Sequence, residues 1–378
     1  MDITLTILMF VPLILILWLA NFSERTVKTS GAKTPSEDVS ANDPDAGGAG
    51  GASAAGAYPA GSNRVWAILA FFLLAVLHGM LILFGITLQL IGLVTAGPMA
   101  SSPGSVYQQM GIDPASFARM GLGMWLPSIF GLLLLLRLVR NLVGRILQAF
   151  DPTSPVHAVA LSYTALIAVN LFMTLGIGLG NLAEMIQAAG PMDLTASLWA
   201  QQIVMAIMAI VGVGWLARRS FGQTFRRLAI VKPSVKQVLA GVGLGIVMGT
   251  VIAVVEVLLN KAGIAGDADV TKLSEQLLGP LTQSAFGIIT LGVAAAIGEE
   301  SIFRGALLPR FGLIFTTLLF ALLHSTYGFT LATLIVFGVG LVLGIVRLRA
   351  NTTTSMLVHA FYNMTLGTIA ALGLLQNI

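Results

Sequence analysis

Residues 287–308 read GIITLGVAAAIGEESIFRGALL, an apolar stretch that contains Glu299, Glu300 and Arg304. Roughly 20 apolar residues are enough to cross a membrane as a helix. A charged side chain near the bilayer centre costs on the order of a few kcal/mol unless it faces a partner or a water-filled cavity. The stretch therefore predicts a transmembrane helix with a functional site inside it.

Two further apolar stretches contain one histidine each. Residues 311–328 read FGLIFTTLLFALLHSTYG and include His324, and residues 355–375 read SMLVHAFYNMTLGTIAALGLL and include His359. Counted from the basic turn between the first two stretches, Glu299 lies roughly 16 Å into the membrane and His324 roughly 21 Å. His359 lies roughly 10 Å from the start of its own helix. We therefore expect these groups to meet in one band of the membrane.

The spacing of the polar residues is helical. Glu300 and Arg304 are four residues apart, as are His359 and Asn363, so each pair shares one face of its helix. Glu299 and Glu300 are neighbours and point about 100° apart. We therefore expect one carboxylate to pair with Arg304 and the other to face a cavity.

The composition is that of a multi-pass membrane protein. Of 378 residues, 56% are hydrophobic and 10% are charged, and the mean hydropathy is +0.92. Soluble domains carry about 25% charged residues. The chain has no cysteine, which excludes disulfides, thiolate nucleophiles and Cys-ligated zinc. Its basic residues are spread between apolar spans, which predicts contact with the lipid bilayer and no nucleic-acid partner.

The apolar pattern predicts an all-α, polytopic helical bundle with about ten spans, the last four of which contain the site. The predicted spans are 3–20, 65–96, 120–139, 157–180, 194–217, 238–260, 281–303, 311–327, 329–346 and 354–375. Alternating the connections between two sides places every Lys and Arg on one side except Arg119, Lys261 and Lys272. Positive residues mark the cytosolic side, so both termini are predicted to face outward.

The same pattern predicts four parts of the chain. Residues 1–20 form an N-terminal transmembrane anchor, and residues 21–63, rich in Gly, Ala, Ser, Pro and Asp, form a disordered cytosolic linker. Residues 64–237 form an accessory transmembrane bundle, and residues 238–378 form the domain with the polar motifs, whose core is 280–375. The Ala- and Gly-rich composition favours a bacterial plasma membrane. The many glycines are expected to allow close helix approach.

The chemistry suggested by two Glu and two His residues is hydrolysis. A carboxylate in a low-dielectric site holds a proton more tightly, which suits a general base that takes a proton from water. A His or Asn donor can stabilise the oxyanion that forms on an amide carbonyl. The same four side chains could instead hold a divalent metal such as zinc, although the sequence has no HExxH motif.

Three motifs occur in order on successive spans. Residues 299–304 (EESIFR) match EExxxR, residues 320–324 (FALLH) match FxxxH, and residues 359–363 (HAFYN) match HxxxN. Over about residues 280–375 the chain resembles the CPBP family of intramembrane proteases, also called the Abi or type II CAAX prenyl endopeptidase family. The resemblance implies a helical-bundle peptidase of either glutamic or metal-dependent type.

The resemblance also implies roles for the motif residues. Glu299 with His324 would activate water, and His359 with Asn363 would stabilise the oxyanion. Glu300, placed with the candidate catalytic residues by its position next to Glu299, would have a structural or supporting role there. The two supporting candidates are Arg304 and Phe320.

The substrate implied is a membrane-embedded or amphipathic peptide or protein, because prenylated CAAX proteins are not expected in bacteria. Two other functions are compatible with the sequence. One is a non-catalytic bacteriocin-immunity or scaffold protein. The other is a secondary transporter that uses Glu256, Glu299 and Glu300 as proton or cation ligands.

Overall fold

A computed structural model describes residues 3–25, 62–95, 113–190, 193–264 and 266–373. Within these ranges no strand is formed and nearly all regular structure is helical, which confirms the all-α prediction. The first helices are α1 (Ile3–Ser23), α2 (Ser62–Thr95), α3 (Pro114–Leu133), α4 (Arg137–Ile146), α5 (Pro155–Ile177), α6 (Leu179–Ala189), α7 (Leu194–Gly212) and α8 (Phe221–Arg227).

The helices of the C-terminal part follow from Val235 onward. They are α9 (Val235–Lys261), α10 (Ala268–Thr282), α11 (Ala285–Glu300), α12 (Leu308–Phe311), α13 (Leu313–Leu323), α14 (Leu331–Arg349) and α15 (Thr352–Ala371). A π-helical turn, Ser301–Leu307, joins α11 to α12, and a 3₁₀ turn, Ser325–Tyr327, follows α13.

The number of candidate membrane spans is smaller than predicted. In the described ranges, six helices are long and apolar enough to cross a membrane, or seven if the bent pair α3 and α4 counts as one span. These six are α2, α5, α7, α9, α14 and the continuous segment Ala285–Phe311, which is the most deeply buried of them. The predicted count of ten spans is therefore not reproduced, although helices occur at all ten predicted places.

Two of the differences, at α13 and α15, arise where polar residues interrupt the apolar pattern. α13 has 11 residues, a length of about 16 Å, whereas the hydrocarbon core is about 30 Å thick. It ends at His324, whose Nδ1 is 2.9 Å from the Phe320 carbonyl oxygen and takes the place of the next backbone hydrogen bond. α15 has the length of a span, but Thr, Ser, His and Asn side chains lower its hydropathy.

Several predicted boundaries also shift. Residues 21–23 were assigned to the linker but continue α1, because the buried Asn21 amide donates to the carbonyl oxygens of Val211 and Gly212 at the end of α7. The rest of the predicted linker up to residue 61 lies outside the described residues. α9 begins at Val235, three residues before the predicted domain boundary, where Ser234 and Gln237 form a capping box. Helix α10 was not predicted.

Small residues let the C-terminal helices pack closely, as the glycine content predicts. On α9, Gly245 lies against α15 so tightly that a Cβ there would be 2.6 Å from the Val358 carbonyl oxygen. On α11, a Cβ at Gly292 would lie 2.6 Å from the Ala360 carbonyl oxygen. α15 is thus held between α9 and α11, and this contact fixes the height of His359 relative to the carboxylates on α11.

The start of α15 is fixed by the turn after α8. Thr352 donates from its backbone N–H to the Ala229 carbonyl oxygen at 3.0 Å and from its hydroxyl to the Leu228 carbonyl oxygen at 2.6 Å. Leu228 is fully buried in an apolar cluster with Phe303 and Phe320, which joins the π-helical turn to α13. The three motif-bearing segments therefore converge on one core.

Candidate active site

Glu300 is the side chain of the site with the most hydrogen-bond partners. It is fully buried, and its Oε1 accepts hydrogen bonds from Arg304 Nη1 at 2.8 Å and His359 Nδ1 at 2.9 Å. Its Oε2 accepts a hydrogen bond from the Ser355 hydroxyl at 2.6 Å. Buried carboxylates are stable only when they are paired and hydrogen-bonded in this way. Glu300 thereby ties α11, the π-helical turn and α15 together.

Arg304 interacts with three other residues of the site, Glu300, Gly340 and Phe320. Besides its ion pair with Glu300, its Nη2 donates to the Gly340 carbonyl oxygen on α14 at 3.0 Å. Its guanidinium carbon lies 4.2 Å from the centroid of the Phe320 ring, within cation–π range. This confirms the prediction that one of the two glutamates pairs with Arg304, and it gives Phe320 a supporting position.

The π-helical turn lies directly after the two glutamates. In it the Leu308 backbone N–H bonds to the Phe303 carbonyl oxygen, five residues back instead of four. Such turns occur often at functional sites. Sequence spacing predicted an ordinary α-helix here, and local pattern does not distinguish the two forms because both keep Arg304 on the side of Glu300.

Glu299 differs from Glu300 in having a free carboxylate oxygen. Its Oε1 accepts one hydrogen bond at 3.2 Å from the Gln202 amide. Its Oε2 is buried, has no hydrogen-bond partner and lies 3.9 Å from His359 Nε2. That separation is too long for a direct hydrogen bond but short enough for a water molecule to contact both atoms. Of the two neighbouring carboxylates, Glu299 therefore has the oxygen that remains available for a further hydrogen bond.

Gln202 is a residue of the site that the sequence pattern did not predict. It lies on α7, within the predicted accessory bundle, and is buried with 4% of its surface exposed. A signal was present, because an amide in the middle of LTASLWAQQIVMAIMAIVG is a polar group inside a membrane span. Nothing in the sequence showed which of the residues on α7 would face Glu299.

His359 bridges the two glutamates. Its Nδ1 hydrogen bonds to Glu300 and its Nε2 is directed toward Glu299. Because a carboxylate oxygen is an acceptor, Nδ1 carries the hydrogen, and the state of Nε2 then determines whether His359 accepts from or donates to a neighbour. The imidazole is buried, with 4% of its surface exposed.

His324 lies beside the Phe320 ring, which also contacts this cluster. The Phe320 centroid is 5.0 Å from the His324 ring and 6.1 Å from the His359 ring. His324 is half-buried and stacks on Tyr327, and its Nδ1–H donates to the Phe320 carbonyl, which leaves Nε2 free to accept a proton when the ring is neutral. The next residue, Ser325, is anchored by Asn170 on α5 at 3.0 Å.

Asn363 follows His359 by one turn of α15. Its amide nitrogen donates to the Leu291 carbonyl oxygen on α11 at 3.3 Å. The structure thus brings together Glu299, Glu300, Arg304, Phe320 and His359 through direct contacts. His324 joins them through Phe320, and Asn363 joins α15 to α11 one turn away.

The residues do not form a ready metal site. In the part of the chain that the structure describes, no group of three or more His, Cys, Asp or Glu side chains is placed to hold a metal ion. Both oxygens of Glu300 are hydrogen-bonded, so the candidate ligands that remain are Glu299, His359 and His324, and these three are not grouped closely enough to share one ion. A catalytic zinc usually has three protein ligands, so this geometry does not fit one.

The fold and the site define a multi-pass helical membrane protein with buried, paired carboxylates and imidazoles. Residues 281–365 match a family model described as type II CAAX prenyl endopeptidase Rce1-like. The matched segment, which includes all three motifs, is similar to that family of peptidases. No curated protein and no solved structure matches the chain.

Proposed function

We propose that this protein is an intramembrane endopeptidase that hydrolyses a peptide bond of a membrane-associated protein or peptide. The observation that supports it most directly is the contrast between two adjacent glutamates. Glu300 is fully hydrogen-bonded, whereas Glu299 has a buried free oxygen 3.9 Å from His359 Nε2. A positioned, partly free carboxylate next to an imidazole is the arrangement needed to activate water.

In the proposed reaction, Glu299 Oε2 accepts a proton from a water molecule. The water oxygen then forms a bond to the scissile carbonyl carbon, and the carbonyl oxygen becomes an oxyanion. Collapse of this tetrahedral intermediate breaks the C–N bond, and the proton held by Glu299 passes to the leaving amine. The products are one carboxylate terminus and one amine terminus, so water is consumed without any other reactant.

The oxyanion is assigned to donors on α15. An imidazole N–H of His359 and the amide of Asn363 lie on one face of α15, and His324 completes the set as a partner of the water. These assignments agree with the roles that the resemblance to the CPBP family implies. Arg304 and Glu300 hold His359 in place and do not react.

The proposed substrate is a membrane-embedded or amphipathic segment. An apolar cleft of about 780 Å³ lies between α9, α11 and α15, and its lining includes Ile246, Ile288, Phe361 and Met364. Met364 follows Asn363 directly in the chain, so an apolar segment in this cleft would pass close to the site. We place the enzyme in a bacterial plasma membrane, where prenylated CAAX proteins, the substrates named in the family description, are not expected.

The test uses the purified full-length chain in liposomes with a panel of membrane peptides, one of which has a prenylated CAAX end. Wild type is compared with Glu299→Gln, each with and without a chelator. Cleavage by wild type that the variant lacks and that the chelator leaves intact supports a glutamate mechanism. Cleavage lost on chelation and restored by zinc would favour the metal mechanism, and no cleavage of any peptide would refute the proposal.

A further inference from the structure

The site includes an amide from outside the segment that matches the family. Gln202 lies in the middle of α7, in the sequence WAQQIVMAI, and is buried between apolar neighbours such as Met205 and Val204. A buried amide within a membrane span needs hydrogen-bond partners. The partner that the structure provides for its Nε2 is Glu299 Oε1, at 3.2 Å.

The backbone is arranged so that this contact can form. Gly298 precedes Glu299, and a Cβ at Gly298 would lie 2.6 Å from the Gln202 carbonyl oxygen and 2.9 Å from its Cα. Any larger residue at 298 would push α7 away from α11. The two helices are therefore in tight contact next to the position where the Gln202 side chain reaches the carboxylate.

The two side-chain oxygens outside this hydrogen bond are Glu299 Oε2 and Gln202 Oε1. Glu299 Oε2 and Gln202 Oε1 are both buried and both lack a hydrogen-bond partner. A hydrogen bond to Oε1 fixes the rotation of the carboxylate, so that Oε2 is the oxygen directed toward His359 Nε2. Gln202 Oε1 lies against Gly298, in the place that a Cβ at that position would occupy, so Glu299 Oε2 is the acceptor of the pair next to His359.

We infer that Gln202 is a positioning residue that holds the Glu299 carboxylate in its reactive orientation. The inference rests on the proposed function. It also assigns a role to α7: the N-terminal helices complete the site with a side chain that residues 281–365 do not contain. Gln202 acts through Glu299 and does not itself exchange a proton.

The test compares Gln202→Met, which keeps the length of the side chain but cannot donate, with Gln201→Met as a matched control. Gln201 is the exposed neighbour on the same helix. We expect Gln202→Met to lower kcat by about 10- to 100-fold with little change in KM, because misplacing a reacting group by about 1 Å has effects of this size. Gln201→Met should leave both constants unchanged.

A second comparison separates positioning from a loss of stability. In a Glu299→Asp background the shorter carboxylate no longer reaches the amide, so adding Gln202→Met should cost much less than it does in wild type. An equal loss in both backgrounds would overturn the inference, as would Gln202→Met with wild-type kcat.

If Gln202→Met does not fold, Gln202→Asn, which keeps a buried amide but shortens its reach, should show the same non-additive loss. A wild type that cleaves no peptide would overturn the proposed function and this inference with it, whereas an active Gln202→Met would overturn the inference alone.

Discussion

Two adjacent glutamates have different environments, and this difference is the main feature of the site at the residue scale. Glu300 accepts hydrogen bonds from three side chains, and Glu299 accepts one. A carboxylate whose oxygens are all occupied is held as a charged structural group, while a free oxygen can take up a proton. On this basis Glu300 is the proposed structural residue and Glu299 the proposed base.

Glu299→Gln should abolish hydrolysis and leave folding intact. The amide has the shape of the carboxylate but cannot accept the proton of water, and loss of a general base lowers the rate by about 10²- to 10⁴-fold. The measurement is the initial cleavage rate in liposomes, together with the thermal unfolding midpoint. Glu256→Gln is the matched control, because Glu256 is an exposed carboxylate on α9. Wild-type activity of Glu299→Gln would exclude Glu299 as the base, and loss of activity in Glu256→Gln alone would favour the transporter alternative.

Arg304→Ala should destabilise the fold instead. It leaves the fully buried Glu300 without its ion pair, at a cost of roughly 3–5 kcal/mol. Equilibrium unfolding in mixed detergent measures the free energy of unfolding, with the exposed Arg226→Ala as the control, which should change by less than about 0.5 kcal/mol. The double variant Arg304→Met with Glu300→Gln should lose less than the sum of the single variants. Additive losses would show that the pair does not interact.

At the scale of elements, irregular helices and close helix contacts place the site. α13 stops at His324, halfway across the membrane by length, and the π-helical turn follows Glu300 directly. Each irregular segment is stabilised by contacts with other helices: Ser325 by Asn170, and Arg304 by the Gly340 carbonyl. Glycines on α9 and α11 bring α15 close enough for His359 to reach both glutamates.

Gly245→Ala should destabilise the protein, because the added methyl group would lie 2.6 Å from the Val358 carbonyl oxygen and 2.7 Å from Phe361 Cβ. Overpacking of this kind costs about 1–3 kcal/mol, and the shift of α15 should also lower the rate of cleavage. Gly243→Ala is the control, since nothing lies within 4 Å of a Cβ at that position on the same helix. The free energy of unfolding is measured for both variants. Equal values would show that the α9–α15 contact is not tight.

At the scale of the whole molecule, the N-terminal helices support the C-terminal site. α7 packs on α11 beside Glu299, and α1 packs on α7, where Asn21 hydrogen bonds to its last carbonyls. At the same end, an ion pair between Glu24 and Arg218, 2.7 Å apart, joins the chain just after α1 to the segment after α7. The part of the chain predicted to be an accessory bundle is therefore continuous with the site.

The topology prediction places residues 21–63 and the basic segment 218–236 in the cytosol, with both termini outside. It rests on the division of Lys and Arg between the two sides. The short α13 is compatible with it, because Arg310 precedes α13 and Arg347 lies in the last turn of α14, so the pair α13–α14 begins and ends with basic residues. A phosphatase fused after Ile378 should be active and one inserted near Gly48 inactive. The reverse pattern would overturn the assigned orientation.

The sequence by itself determined the class of protein and most of the residues that meet in the site. Apolar runs require helices in a membrane, since every backbone group must be hydrogen-bonded there. Charged residues inside such runs must find partners, which predicted the Glu300–Arg304 pair. Three motifs on successive helices also indicated the family.

The tertiary structure alone decided several of the contacts that those residues make. The break at His324, the π-helical turn, the bond from His359 to Glu300 and the approach of Gln202 to Glu299 all depend on contacts between helices far apart in the chain. The height and rotation of one helix against another are set by small residues such as Gly245, Gly292 and Gly298. Such non-local packing leaves no periodic signal in a single sequence, so the break at His324, the π-helical turn and the contact between Gln202 and Glu299 follow only from the folded chain.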